Sequence, residues 1–167
     1  RTLAADAKLL ERAGTDFLLL PSPKDIYPDG YRYRVSETTD SAFLCGAHRP
    51  GHFEGVLTVV LKLLNLVRAD RAYFGEKDYQ QYHLIKGMAE AFFLATEIVP
   101  CPTVMEADGL AMSSRNRLLA PADRTLAPAL NRVLRSAAGP ARIMKELKAL
   151  GFEPDYAEER WGRRFAA

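Results

Sequence analysis

The chain has 167 residues, 48% of them hydrophobic and 26% charged, which suits one substantial core or one domain with part of a second. Its 23 Lys and Arg exceed its 21 Asp and Glu by only two, so no global charge favours nucleic acid or a membrane surface as partner. Two separated cysteines, Cys45 and Cys101, provide no disulfide framework and no metal-ligand spacing, so a reducing, intracellular compartment is expected. No apolar run approaches the roughly 20 residues that span a bilayer.

Hydrophobic spacing along the chain predicts alternating helices and strands. In chain order, we expect a helix at 3–13 stopped by Gly14, a buried strand at 16–20, a loop at 21–30, a half-exposed strand at 31–35, a loop at 44–53, a helix at 55–67, a strand at 71–74, a helix at 79–93 and a strand at 97–99. The helix at 55–67 is expected to bury Val59, Val60, Leu63, Leu64 and Val67. This alternation is typical of βαβ units, so the predicted fold class is α/β with a parallel sheet.

The character of the chain changes near Cys101, where a polar loop and two less hydrophobic helices follow. We therefore predict two domains, residues 1–103 and residues 104–167. A short connection around Ala137–Ala141 joins the two helices. Near the end of the chain three arginines flank a tryptophan: Arg160, Trp161, Arg163 and Arg164. Because two glutamates precede them, a solvated surface is the expected role of this cluster.

The segment from Gly75 to Gln81 joins a predicted strand to a predicted helix. Ligands of open α/β sheets bind at the carboxyl ends of strands, and a helix N-terminus there attracts phosphate. Lys77 would add a mobile cation, whereas Asp78 could cap the helix, bind a ribose hydroxyl or join a Mg²⁺ shell, and Gln81 could turn its amide into the same crevice. The alternative is a plain turn in which Asp78 is only a cap and Lys77 is solvated.

A second polar segment, 108–116, carries Ser113, Ser114 and Arg115 behind Gly109. Two hydroxyls beside an arginine suit a polyphosphate, and the glycine lets a lid bend. The alternative is a helix cap with Arg115 in water. A third segment, 47–53, places Arg49 and His52 on a Pro-Gly turn that could grip a small carboxylate, unless the histidine is only structural. Alone, these residues indicate a nucleotide- or phosphate-handling α/β enzyme.

Four runs together resemble the pantothenate synthetase family, in its order and at similar spacing: 49–53, 58–65, 74–81 and 108–116. The resemblance implies a Rossmann-like nucleotidyltransferase domain followed by a smaller C-terminal lid domain. It also implies a cytoplasmic homodimer that uses ATP and Mg²⁺, with no metal site built by the protein alone. The implied reaction adenylates pantoate, releases pyrophosphate, and then transfers the pantoyl group to β-alanine with release of AMP. Positioning and charge neutralisation would supply most of the rate.

The resemblance also implies roles for individual residues. Gly75, Glu76, Lys77 and Asp78 would meet ATP, with Lys77 on phosphate and Asp78 on the ribose side. Val104 would line the adenine pocket, and the lid signature that closes over the triphosphate would be Met112, Ser113, Ser114 and Arg115. Gln81 would hydrogen-bond pantoate, within a wall that includes Arg49, His52, Val59 and Val60.

The family's His-x-Gly-His signature and an upstream glutamine are absent from this sequence, whose first residues, Arg1-Thr2-Leu3, resemble the inside of a helix. Its final residues resemble an unfinished lid domain. We therefore expect residues 1–167 alone to bind nucleotide weakly and to turn over little or not at all. Two alternatives stay open at this point, an adenylyltransferase that uses another small acid and a non-catalytic nucleotide-binding remnant.

Overall fold

The computed structural model describes residues 2–136 and 139–167 and divides the chain into two compact units, Arg1–Tyr33 and Arg34–Ala167. Arg1 lies outside the described residues, as do Ala137 and Ala138 of the predicted connection. Over the described residues, no helix is long and apolar enough to cross a membrane. The predicted division into residues 1–103 and 104–167 stays a prediction.

The first unit contains helix α1 (Leu3–Arg12) and the short helix α2 (Pro23–Ile26). Helix α1 ends as predicted, because Gly14 takes a left-handed conformation at φ +75°. Helix α2 lies within the predicted loop at 21–30 and is a correction to it, since Ser22 and Asp25 form a reciprocal capping box at its start.

Two strands predicted in this part of the chain are wrong. Residues 16–20 have no regular secondary structure, and Phe17 is 92% exposed. An apolar run favours burial, but a strand also needs a neighbour to share its backbone hydrogen bonds, and no described residue pairs with this run. The strand predicted at 31–35 fails because Tyr31 has φ +65°, which interrupts an extended backbone.

The second unit contains the parallel pair, the helices around it and a C-terminal hairpin. Its α-helices are α3 (Cys45–His48), α4 (His52–Val67), α5 (Tyr79–Ala91), α6 (Pro121–Leu126), α7 (Pro128–Arg135) and α8 (Pro140–Ala149). Its strands are β1 (Arg71–Gly75), β2 (Glu97–Cys101), β3 (Ala157–Arg160) and β4 (Arg163–Ala166). Short 3₁₀ helices occupy Asp40–Ala42, Glu76–Asp78 and Ser114–Leu118.

Strands β1 and β2 pair in parallel, with Arg71 opposite Glu97 and Gly75 opposite Cys101. Helices α4 and α5 pack with this pair to form the main core, whose buried members are Phe53, Leu57, Leu84, Ile85, Met88, Ala89 and Ile98. The predicted α/β class with a parallel sheet is therefore confirmed. Both strands end at the same edge, so the segments after Gly75 and Cys101 start side by side.

Helix α4 differs from its prediction in start and in buried face. It begins at His52 because Gly51, at φ +74°, already turns the chain, so most of the predicted loop at 44–53 is helical or tightly turned. Its buried residues are Phe53, Leu57 and Thr58, whereas Val67 is 54% exposed. Of the predicted face, Val60 and Leu64 pack against the main core as partly buried residues, whereas the polar Thr58 lies on the fully buried side. Its hydroxyl is buried as the acceptor of the backbone N–H of Val35, at 2.9 Å.

The described residues of the C-terminal part form three α-helices where two were predicted, since Pro128 begins α7 directly after α6. A second core joins α7, α8 and the hairpin around Val133, Ile143 and Leu147. Strands β3 and β4 pair in antiparallel fashion through a two-residue turn. Trp161 and Gly162 both have positive φ there, as a type I′ turn requires. The hairpin was not predicted from the sequence.

Candidate active site

The turn between β1 and α5 stands at the carboxyl end of the parallel pair. It is a single 3₁₀ turn, Glu76–Asp78, that leads directly into α5. The Lys77 ammonium lies 3.4 Å from the Asp78 carboxylate, and the side chain of Asp78 is 65% exposed. Both residues line two neighbouring cavities, one small and one large. The turn therefore presents one cation and one anion to both spaces.

The small cavity, of about 90 Å³, brings together residues from two of the predicted motifs. Arg49 and His52 reach it from the start of α4, and Gln81 reaches it from the first turn of α5. Burial, followed by the nearby Arg49 guanidinium, lowers the pKa of His52. The cavity thus combines a cation, a histidine biased towards its neutral form and an amide, which suits a small polar acid.

Gln80 builds the rim of this cavity, and sequence reasoning missed it. Only 5% exposed, its side-chain amide donates to the carbonyls of Asp40 and Phe43, at 2.9 and 2.8 Å. Its oxygen accepts the N–H of Cys45 at 3.1 Å. These three bonds fasten the 40–45 segment, which leads to Arg49, onto α5. The only indication in the sequence was that Gln80 stands beside the predicted site residue Gln81. Two adjacent glutamines at the start of a helix do not reveal which one is buried.

The large cavity, of about 770 Å³, lies between the β1–α5 turn and the C-terminal part of the chain. Thr103, Met105 and Leu110 form one side of it, and α7 and the hairpin form another. Four cationic side chains line it: Lys77, Arg135, Arg163 and Arg164. The lining carboxylates are those of Glu76 and Asp78. An excess of cations in a cleft this large favours a polyanion.

The C-terminal hairpin packs over the turn instead of forming the expected solvated surface, so that expectation was wrong. Arg163 contacts the Glu76 carboxylate at 2.5 Å and lies 4.2 Å above the ring of Tyr79. Trp161 packs on His83 with ring centroids 4.4 Å apart. These contacts join segments about 80 residues apart in sequence, and no local pattern could have indicated them.

Tyr156 and Cys45 form a further contact between the hairpin region and the site. The tyrosine hydroxyl and the Cys45 sulfur are 3.0 Å apart, and both residues line the two cavities. Burial raises the pKa of Tyr156 well above its ordinary value, and the hydrogen bond with Cys45 adds to the rise. Tyr156 is therefore a neutral hydroxyl at physiological pH. Sequence reasoning did not select either residue for the site.

The 108–116 loop places its predicted site residues outside the linings of both cavities. Met112, Ser114 and Arg115 are exposed, and the half-buried Ser113 accepts the N–H of Arg115 at 3.2 Å. Ser113 is thus the cap of the 3₁₀ helix at Ser114–Leu118. Val104 is 64% exposed, between Thr103 and Met105 in the large cavity's wall. The predicted roles of these residues stay predictions.

Val59 and Val60 lie on α4, away from the linings of both cavities. Val60 packs against the main core. Within residues 2–136 and 139–167, no group of three or more His, Cys, Asp or Glu side chains is arranged to hold a metal ion. Among the residues that line the two cavities, the carboxylates are those of Glu76 and Asp78.

A parallel α/β sheet with a cation-rich cleft at the carboxyl ends of its strands is typical of nucleotide-handling proteins. Residues 1–163 match the model of the pantoate-beta-alanine ligase family, and the chain belongs to that family. This confirms the resemblance of its motifs.

Curated relatives named pantothenate synthetase include those of Legionella pneumophila (strain Lens) and Bdellovibrio bacteriovorus, which are 52% and 51% identical over 167 residues. The chain spans 66% of the length of each, less than two thirds, and is itself covered in full.

Solved structures show the same fold. The pantothenate synthetase of Thermus thermophilus is 42% identical with a TM-score of 0.86, and the match covers 94% of this chain and 62% of that one. The pantoate-beta-alanine ligase of Francisella tularensis, crystallised with beta-gamma ATP and beta-alanine, is 35% identical with a TM-score of 0.88. That match covers 99% of this chain and 69% of the Francisella chain.

Proposed function

We propose that the whole protein is an ATP-dependent ligase that condenses pantoate with β-alanine through a pantoyl-adenylate intermediate. The observation that carries the proposal is the shared wall of the two cavities. Lys77 and Asp78 line both the small cavity, which suits an acid, and the large cationic cavity, which suits a triphosphate. An acid bound beside a triphosphate is the arrangement that adenylation requires. Family membership and the ATP and β-alanine of the Francisella structure support the same substrates.

The β1–α5 turn would hold ATP in this reaction. We assign Lys77 to a phosphate oxygen and Asp78 to the ribose side, with Gly75 and Glu76 completing the contact surface. Glu76 already contacts Arg163 at 2.5 Å, so its part would be to position the hairpin arginine next to the nucleotide. Val104, exposed beside the large cavity, would face the adenine.

The small cavity would hold pantoate. Arg49 supplies a guanidinium for the pantoate carboxylate, and Gln81 supplies an amide for its hydroxyls. His52 can serve as hydrogen-bond donor and acceptor to the same hydroxyls, because its lowered pKa favours the neutral ring. Val59 and Val60 would contribute only indirectly, through the packing of α4 behind this wall.

Met112, Ser113, Ser114 and Arg115 would form the lid over the triphosphate. Their exposure next to a cleft of about 770 Å³ leaves them accessible to a nucleotide bound there. Arg115 would then neutralise charge that develops on the phosphates.

Magnesium would enter with the nucleotide as its phosphate complex. Mg²⁺ in such sites is usually held by substrate phosphates with one or two carboxylates and several waters. Of the two carboxylates that line the large cavity, Asp78 is assigned to the ribose and Glu76 contacts Arg163, so the phosphates and water would supply the ligands of the ion. When bound, the ion would neutralise phosphate charge.

The proposed reaction has two steps. A carboxylate oxygen of pantoate attacks the α-phosphorus of ATP, and the bond to the bridging oxygen breaks with release of pyrophosphate. The amine of β-alanine then attacks the activated carbonyl, AMP leaves, and the amine loses a proton to solvent. The protein's part is to hold the reactants in line and to neutralise phosphate charge, so no covalent enzyme intermediate is needed.

Pantoate-dependent exchange between ATP and pyrophosphate tests the first step, using protein expressed from its complete coding sequence. We expect exchange in the wild type and a loss of about 100-fold or more in Lys77→Ala, which removes a charged donor from the phosphates. Lys148→Ala is the matched control, because Lys148 is exposed on α8 and lines neither cavity. A folded protein that binds ATP but exchanges nothing with pantoate would contradict the proposal.

Such a result would favour one of the two alternatives, an adenylyltransferase for another small acid or a nucleotide-binding protein without catalysis. A panel of small hydroxy acids in the same exchange assay separates them. Because residues 1–167 span about two thirds of the length of the curated relatives, we expect this piece alone to bind nucleotide weakly and to convert little or no substrate. A homodimer and a cytoplasmic location stay predictions.

A further inference from the structure

The loop that carries the proposed lid is tied to helix α6 by one side chain. Arg124 contacts the Glu106 carboxylate at 2.6 Å with one terminal nitrogen and the Asp108 carboxylate at 2.5 Å with the other. All three side chains are about one third exposed, between 31% and 42%. A single guanidinium thus bridges two positions of the loop, separated by one residue, from a helix that follows it.

Further hydrogen bonds connect the Arg124–Glu106 pair to the residues on either side of the lid segment, Ala111 and Asn116. The second oxygen of Glu106 accepts from the Asn116 side chain at 2.7 Å, and the same amide donates to the carbonyl of Ala111 at 3.0 Å. Asn116 directly follows Arg115. The Asn116 amide therefore joins the two ends of the lid segment, and Glu106, which Arg124 holds in place, anchors that amide.

The backbone of the loop is closed independently of Arg124, which makes the role of the arginine specific. Met105 and Ala111 form a β-bridge, and the N–H of Met112 donates to the carbonyl of Val104 at 2.9 Å. Asn131 of α7 donates to the carbonyl of Gly109 at 2.9 Å. Loss of Arg124 should therefore change where the loop stands relative to α6 without unfolding it.

The lowered pKa values of Glu106 and Asp108 agree with a guanidinium of Arg124 that contacts both groups as ionised carboxylates. The Asn116 amide and then Arg124 lower the pKa of Glu106, and Arg124 and then the N–H of Leu110 lower the pKa of Asp108. A lysine would carry the same charge but is a point donor, and it could not reach both carboxylates in this planar arrangement.

We propose that Arg124 is a positioning residue that fixes the position of the 105–116 loop relative to α6. Through the loop, Arg124 also fixes the positions of Ser113, Ser114 and Arg115. The consequence for catalysis rests on the proposed function of that lid. The mechanical claim, that Arg124 restrains the loop, does not.

Limited trypsin digestion of the full-length protein tests the mechanical claim, because Arg115 in the loop and Arg117 directly after it are exposed cleavage sites. We expect Arg124→Ala to raise cleavage there about three- to tenfold, the effect of losing two partly exposed ion pairs, and Arg124→Lys to give a smaller rise. Arg142→Ala is the control, since it removes an exposed pair with Glu146 inside α8. Unchanged cleavage in Arg124→Ala overturns the proposal, as does an equal rise at Lys145 and Lys148, which would indicate general unfolding.

The exchange assay then tests the consequence. We expect Arg124→Ala to raise the KM for ATP and to lower kcat, about tenfold in kcat/KM, with Arg124→Lys between it and the wild type and Arg142→Ala unchanged. A looser loop with wild-type exchange would overturn the link between Arg124 and the lid. If the wild type itself showed no pantoate-dependent exchange, the proposed function would fail while the trypsin result still decided the mechanical claim.

Discussion

Replacement of Gln80 by methionine is expected to destabilise the protein far more than the same change at Gln81. Methionine keeps the length of the side chain but removes three hydrogen bonds, two to the carbonyls of Asp40 and Phe43 and one from the N–H of Cys45. Because Gln80 is 5% exposed, water cannot easily replace them. The Phe43 carbonyl keeps the N–H of Gly46 as its donor at 2.9 Å, so the groups that lose a partner are the Asp40 carbonyl and the Cys45 N–H. Each buried backbone group left without a partner costs about 1–3 kcal/mol, so we expect a loss of about 2–6 kcal/mol.

Urea denaturation measures this loss as a lower midpoint with an unchanged slope. The matched control is Gln81→Met, which alters a half-buried side chain on the wall of the small cavity and should cost less than about 1 kcal/mol. The two variants should also separate by function, since only Gln81→Met is expected to weaken pantoate binding directly. A stability of Gln80→Met within about 0.5 kcal/mol of the wild type would contradict this prediction, because the buried hydrogen bonds would then contribute no net free energy of unfolding.

Two further predictions concern the hairpin and the small cavity. Arg163→Ala removes the hairpin's contacts with the β1–α5 turn, so the emission of Trp161, the one tryptophan of the chain, should shift to longer wavelength as it becomes wetter; an unchanged spectrum would contradict the docking role. The pKa of His52 lies below its ordinary value of 6.5, so the folded state binds fewer protons than the unfolded state near that pH. Its contribution to stability is therefore present above pH 6.5 and lost as pH falls through the folded pKa. In thermal unfolding between about pH 7 and 5, His52→Gln should lose less stability than the wild type, and parallel losses would exclude this contribution.

The elements predicted correctly are those whose evidence is local. Strand β1, the turn at 76–78 and helix α5 follow one another within about 20 residues, and hydrophobic spacing with a glycine at the strand end was sufficient to place them. The same holds for β2 and for most of α4. The strand predicted at 16–20 failed because an apolar run states a preference for burial but cannot supply the partner that a strand requires.

The motif residues of the candidate site could be predicted from the sequence, but the cavities that they line together with the hairpin could not. The sequence indicated Lys77, Asp78 and Gln81, and the structure places them with Arg49 and His52 around one small cavity. The sequence could not indicate that hairpin residues would pack against the β1–α5 turn. A pair such as Glu76 and Arg163 is 87 positions apart, and a contact over that distance produces no periodic pattern in the sequence. Packing against the 40–45 segment likewise decides that Gln80 is buried while its neighbour Gln81 is only half-buried.

If the whole protein activates pantoate as an adenylate, the nucleotide product of its reaction is AMP and not ADP. Purified protein from the complete coding sequence is incubated with ATP, pantoate and β-alanine, and the nucleotides are separated and quantified. We predict AMP, pyrophosphate and pantothenate in equal amounts over many turnovers, with AMP and pantothenate formed only when both pantoate and β-alanine are present, and all three products lost in Lys77→Ala. Formation of ADP and phosphate instead would show activation at the γ-phosphorus and would contradict the account.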